Sequence, residues 1–247
     1  MTRYCIILSV YVFCALFPAH GFAAATLAEV EARVRADAAK DLEAPWQPDS
    51  LAARNCLDGR PVADFPGDVV EYWVNLECSY CGIVEPMQAQ RQNADLCIVA
   101  RHIPTREYSE SMKKALSYEA LKKFSVNGAL IFWDKVVPKS SRALPLPYEA
   151  SLLLAFQEAA IDPEAFGDAL GNEAASLINQ DILTARGRIS VTPTWVLAGI
   201  RFPACDFTAA QFPVALELAK KARDGDKEAL EQIISMIAKA LMDEATM

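Results

Sequence analysis

Val69-Val70-Glu71-Tyr72-Trp73-Val74-Asn75-Leu76-Glu77-Cys78-Ser79-Tyr80-Cys81 joins a strand signal to a closely spaced cysteine pair. The first six residues are β-branched and aromatic with almost no interruption, as a strand covered on both faces requires. The run ends at Asn75-Leu76-Glu77, and the pattern predicts a helix opening at Cys78 and running to about Asn93. A second apolar run, Leu96-Cys97-Ile98-Val99-Ala100, follows. Strand, helix and strand in this order form a parallel βαβ unit with its crossover helix.

Outward from this unit, residues 27–44 carry apolar positions at helical spacing among charges. Residues 107–188 read as helical throughout, with room for four or five helices. Strand character returns at 189–197, Ala198-Gly199 turns the chain, and 200–202 continues the sheet. Two helices, split by Asp224-Gly225-Asp226, follow. The expected class is α/β, a small mixed sheet interrupted by a helical insertion. Its divisions are 1–25, 26–65 (N-terminal helix and linker), 66–106 with 189–247 (sheet domain), and 107–188 (insertion).

Residues 1–25 have the layout of a secretory signal peptide: Arg3, an apolar run over 4–17, then small residues around Ala23-Ala24-Ala25. A membrane anchor would need about 18 or more apolar residues. Cleavage and export into an oxidising compartment are therefore expected, with no membrane insertion afterwards. The chain has a net charge of -8, and no stripe of Lys and Arg, which disfavours nucleic acid as a partner. Five cysteines follow the signal: Cys56, Cys78, Cys81, Cys97 and Cys205. A single histidine, His102, follows it too, which leaves little for a His-based metal site or a histidine-dependent triad.

Cys78 and Cys81, three apart, would share one face of a helix at a separation a disulfide accepts. At a helix start, unpartnered amides and the dipole favour a thiolate. Cys78 is thus the expected nucleophile and Cys81, more buried, the resolving thiol. The competing readings are an inert disulfide or half of a zinc site, but no second closely spaced Cys/His pair is present. Pro193 interrupts a strand at Thr192-Pro193-Thr194, where a cis bond would resolve the missing donor. Thr192, Ser79 and Tyr80 are then expected to meet a peptide substrate. No cofactor and no metal are expected.

Strand, Cys-x-x-Cys, helix and the late Thr-Pro-Thr resemble the thioredoxin superfamily. Pro86 is similar to the proline that kinks that family's active-site helix, and the long insertion resembles the bacterial DsbA-like thiol:disulfide interchange proteins. The resemblance covers roughly residues 69–222. It implies a thioredoxin-like fold, disulfide exchange in the periplasm through Cys78 and Cys81, and a cis Pro193. It also implies unfolded or partly folded exported proteins as substrates and a DsbB-like membrane partner. Tyr80 departs from the strongly oxidising members, which have histidine there, and resembles the DsbC/DsbG isomerases. Those are kept reduced by a membrane electron donor of the DsbD-like kind. A Cu(I)- or Zn-binding metallochaperone is a third reading. Glu71 is a candidate proton relay, but it lies one residue further from Cys78 than the family's acid and so turns to the other strand face. Cys56 and Cys205 are expected to form a structural disulfide, Cys97 to behave as a small hydrophobe, and His102 to sit at the surface edge of its strand.

Overall fold

The computed structural model describes residues 25–44, 46, 51–105, 109–138 and 145–245. The signal-peptide reading of 1–25 therefore lies almost wholly outside the described residues. β1 (Asp68–Val74) and β2 (Leu96–His102) pair in parallel, joined by α2 (Val84–Gln92). β1 also pairs antiparallel with β3 (Thr194–Leu197), which turns into β4 (Ile200–Pro203). The sheet order is β2-β1-β3-β4, so β1 lies inside, as its unbroken apolar run requires.

Between β2 and β3 lie α3 (Glu110–Phe124), α4 (Val126–Val136), α5 (Tyr148–Ala159), α6 (Pro163–Ala169) and α7 (Ala175–Ala185). A π turn over Leu170–Ala174 fuses the last two. Ser109 caps α3 and Ser125 caps α4, each hydroxyl accepting an otherwise orphaned amide. α8 (Phe212–Arg223) and α9 (Lys227–Ala245) follow β4. The leading helix α1 (Leu27–Glu43) starts at a Thr26/Glu29 capping box and packs on α9 and β4. Asp41 fixes it there through Arg201, 2.7 Å away. No helix of the described residues is long and apolar enough to cross a membrane.

The helix expected from Cys78 begins six residues later, at Val84. Pro86 supplies the reason. In a helix started at Cys78, Pro86 could not donate to the Gly82 carbonyl, and its ring would crowd that group. The Tyr72 hydroxyl takes the Gly82 carbonyl instead, at 3.1 Å. Pro86 stands in the first turn of α2, where no amide donor is needed, and does not kink the helix interior. β3 likewise starts at Thr194 rather than 189.

The two faces of β1 meet different surroundings. Val70, Tyr72 and Val74 join the main core, which also holds Cys81. Trp73 packs on the opposite face with Trp46, Ala185 and Val196. Glu71 belongs to this second face by strand alternation.

Candidate active site

The loop from Asn75 to Cys81 is built from two consecutive turns. The Cys78 amide donates to the Asn75 carbonyl at 2.9 Å, and the Cys81 amide to the Cys78 carbonyl at 3.1 Å. Asn75 anchors the first turn, its Oδ1 accepting from the Glu77 amide at 3.0 Å and from the Ser111 hydroxyl at 2.7 Å. The second is anchored by Trp133 of α4, whose indole donates to the Cys81 carbonyl at 2.8 Å. The helical insertion thus holds the cysteine loop directly.

Cys78 is half-buried and Cys81 is fully buried, both as thiols. The Cys78 thiol donates to the Thr192 carbonyl at 3.2 Å. The Thr192-Pro193 bond is cis, and the Pro193 carbonyl accepts from the Ala204 amide at 2.8 Å. Cys78, Cys81, Thr192 and Pro193 are therefore one constellation, although more than a hundred residues separate the two pairs. The later helix start removes Cys78 from the first turn of α2. Its sulfur meets the Thr192 carbonyl.

Burial pushes the Cys81 thiol well above its ordinary range, and the side chain and charge of Cys78 add to this. The Asn75 backbone and the Thr192 side chain pull the other way. A sulfur without access to water holds its proton firmly, because a buried charge lacks solvation. Ser79 and Tyr80 are half-buried and line a cavity of about 360 Å³ with Gly82, Glu85, Trp133 and Asp206.

Glu71 lies on the far side of β1. Its carboxylate accepts from the Trp46 indole at 2.7 Å and stands 3.4 Å from Arg101. Burial lifts Glu71 to about 7, against the pull of Arg101 and Trp46. Arg101 also pairs with Asp181, and Asp181 with Arg54 at 2.6 Å. His102, expected at a surface edge, is 1% exposed and stands 3.2 Å from Glu119. Burial works against the Glu119 carboxylate, yet Lys122, His102 and Arg54 hold it down at about 2. These groups come from the N-terminal segment, both parallel strands, α3 and α7, and together they bind the insertion to the sheet.

The expected Cys56–Cys205 disulfide is not formed. Cys56 pairs with Cys97, with Cα atoms 5.1 Å apart, and both are buried. The Leu57 amide donates to the Ile98 carbonyl at 2.8 Å, which lays the Cys56 loop against β2. Cys205 is a buried thiol in the main core, pushed up to about 12 by burial with the charge of Asp206 adding.

Tyr72, Trp133, Asp206 and the ion cluster were not singled out by sequence reasoning. For Tyr72 a signal was present: it precedes Cys78 by six residues, the spacing at which the resemblance puts the acid. Trp133 and Asp206 carried no comparable pattern.

No family model matches the chain, and no curated protein matches it. Solved structures do. The catalytic domain of ScsC from Proteus mirabilis is 16% identical with a TM-score of 0.53, over 75% of this chain and 97% of that one. A linker-deletion variant of the same protein gives 16% and 0.56, over 90% and 97%. Oxidised BdbD from Bacillus subtilis gives 19% and 0.50, over 73% and 98%. The chain has the thioredoxin-like fold of these proteins, DsbA-like helical insertion included.

Proposed function

We propose that this protein is a thiol:disulfide oxidoreductase of the periplasm. In this reading it donates the Cys78–Cys81 disulfide to unfolded or partly folded exported proteins, in the DsbA-like direction. The observation that carries the reading is the half-buried Cys78 sulfur, 3.2 Å from the Thr192 carbonyl beside cis Pro193, with buried Cys81 three residues on. A substrate thiolate attacks the Cys78 sulfur of the oxidised pair, the Cys78–Cys81 bond breaks, and Cys81 leaves and takes up a proton. A second substrate thiolate then attacks the substrate sulfur of the mixed disulfide and releases Cys78. Two electrons pass from the substrate dithiol to the pair, and a DsbB-like membrane partner removes them.

An extended substrate segment would lie alongside Thr192 and cis Pro193, next to the Cys78 sulfur, and would be recognised through its backbone rather than its side chains. Tyr80 favours a second reading, a DsbC/DsbG-like isomerase or reductase served by a DsbD-like donor. It puts a phenol where strongly oxidising relatives bring a positive charge, and so stabilises the reduced pair less. Acid-quenched cells treated with an alkylating reagent separate the two. An oxidised pair at rest supports the oxidase, and a reduced pair the isomerase. A Cys81→Ala variant should retain substrates as mixed disulfides through Cys78. A protein that instead traps none and binds Cu(I) or Zn stoichiometrically is a metallochaperone.

A further inference from the structure

The carbonyls of Cys81 and Gly82 lie just ahead of α2, whose first acceptor is the Ile83 carbonyl, bonded to the Met87 amide at 3.0 Å. A buried backbone carbonyl without a donor costs free energy comparable to a lost hydrogen bond. Here two side chains supply the donors. The Trp133 indole donates to the Cys81 carbonyl at 2.8 Å in a buried hydrogen bond, and the Tyr72 hydroxyl donates to the Gly82 carbonyl at 3.1 Å. One donor comes from the helical insertion and the other from the sheet.

Both donors are themselves locked. Tyr72 and Trp133 are buried and stack in nearly parallel planes, with centroids 6.2 Å apart. Tyr118 of α3 meets Trp133 edge-on at 4.8 Å, and the His102 ring of β2 lies 5.9 Å from it. Side chains fixed by packing on several sides aim their hydrogen bonds with little freedom. Cys78 is held by other means. Its amide donates to the Asn75 carbonyl at 2.9 Å, and its thiol to the Thr192 carbonyl at 3.2 Å. The Cys81 amide, bonded to the Cys78 carbonyl at 3.1 Å, joins the two halves of the loop. The attacking sulfur and the resolving sulfur therefore depend on different anchors.

We propose that Trp133 and Tyr72 are positioning residues for the resolving step: by fixing the Cys81 and Gly82 carbonyls, they keep the Cys81 sulfur aimed at Cys78. This rests on the disulfide-exchange reading. When the reduced pair works, Cys78 attacks a substrate disulfide and keeps one half of it as a mixed disulfide. Cys81 then bonds to Cys78, the bond from Cys78 to the substrate breaks, and the departing sulfur takes up the proton that Cys81 gives up. A loosened Cys81 meets Cys78 less often in the reactive arrangement, which slows this second step and not the first.

The test is stopped-flow mixing of the reduced protein with a fluorogenic disulfide-linked peptide. Attack by Cys78 depends on peptide concentration, whereas release driven by Cys81 does not. Tyr72→Phe keeps the ring and loses only the donor, and Trp133→Phe removes the indole donor with part of its packing. The ratio of release rate to attack rate should fall about fivefold in Trp133→Phe and about twofold in Tyr72→Phe. The smaller effect follows from Gly82, an exposed residue whose freed carbonyl water can serve. Mixed disulfide on Cys78 should accumulate in acid-quenched samples of both variants. An unchanged ratio in both overturns the assignment, and so does equal slowing of attack and release, the mark of a general loss of structure. Should Trp133→Phe not fold, the Tyr72→Phe ratio decides alone. A wild-type protein that forms no mixed disulfide overturns the exchange reading itself, and the positioning role with it.

Discussion

The two faces of β1 differ in what they bury. One face carries Tyr72 into the core that also holds Cys81, amid aromatic rings: Tyr72 stacks on Trp195 at 4.1 Å, and Trp133 meets Tyr118 edge-on at 4.8 Å. The other carries Glu71 into a cluster of buried ions with Arg54, Arg101 and Asp181. A single residue of register separates them, because successive strand side chains point to opposite faces. The thiol face has the half-buried sulfur to which the proposed exchange is assigned, and the ionic face has buried charges that tie the insertion to the sheet. If the proposed exchange holds, chemistry and cohesion fall on opposite sides of one strand, and each side should respond to substitution without the other.

Cys78→Ser is the largest perturbation expected on the thiol side. Exchange with a model disulfide should fall to the uncatalysed rate, while unfolding free energy moves by no more than about 1 kcal/mol. Denaturant melts alongside the exchange assay check both halves. Asp181→Ala is its counterpart. It leaves Arg54 and Arg101 without their shared carboxylate and should cost about 3–5 kcal/mol. The exchange rate per folded molecule should be unaltered, and a parallel loss of exchange would break the division between the faces.

Removing the Cys56–Cys97 disulfide by a double Cys→Ala substitution should cost about 2–4 kcal/mol, since it closes a loop of 41 residues in sequence separation. Scanning calorimetry reads this directly, and Cys78 reactivity should stay as it was.

The subtlest expected effect is a pH slope. Glu71 is raised from 4.5 to about 7 in the folded chain. Between those values the unfolded chain has given up the proton while the folded chain still holds it, so this group lowers stability progressively as pH rises. Above about 7 the loss is complete and constant. Glu71→Gln removes that slope, so the stability of the variant relative to wild type should climb from about pH 4.5 to 7 and then level off. Glu119, depressed to about 2, works in the opposite sense: its contribution is present above its ordinary value and vanishes as pH falls toward 2. Urea melts across the pH range distinguish the two.

Much of this arrangement was legible in the residues. The apolar run of β1 gave an interior strand, and three-residue spacing picked out Cys78 and Cys81. Pro193 was conspicuous because a proline inside a strand pattern needs an explanation. The spacing of Glu71 also foretold the face it would occupy. Other features depend on tertiary proximity that no local pattern encodes. Cys56 could be matched to Cys97 only by knowing that its loop lies on β2. Asp181 reads as one polar position in a helix, and only the docking of α7 on β2 gives it two arginines. The resemblance makes Pro86 a kinking proline, whereas its missing donor sets the helix start.

The central claim is that the Cys78 sulfur exchanges bonds and Cys81 answers it. Intact-mass analysis of the reduced protein with a small disulfide, followed by peptide mapping, tests this most directly. Wild type should lose two hydrogens by joining Cys78 to Cys81, and Cys81→Ala should keep one adduct on Cys78, with Cys56–Cys97 intact in both. An unreactive Cys78, or an adduct confined to Cys205, would contradict it.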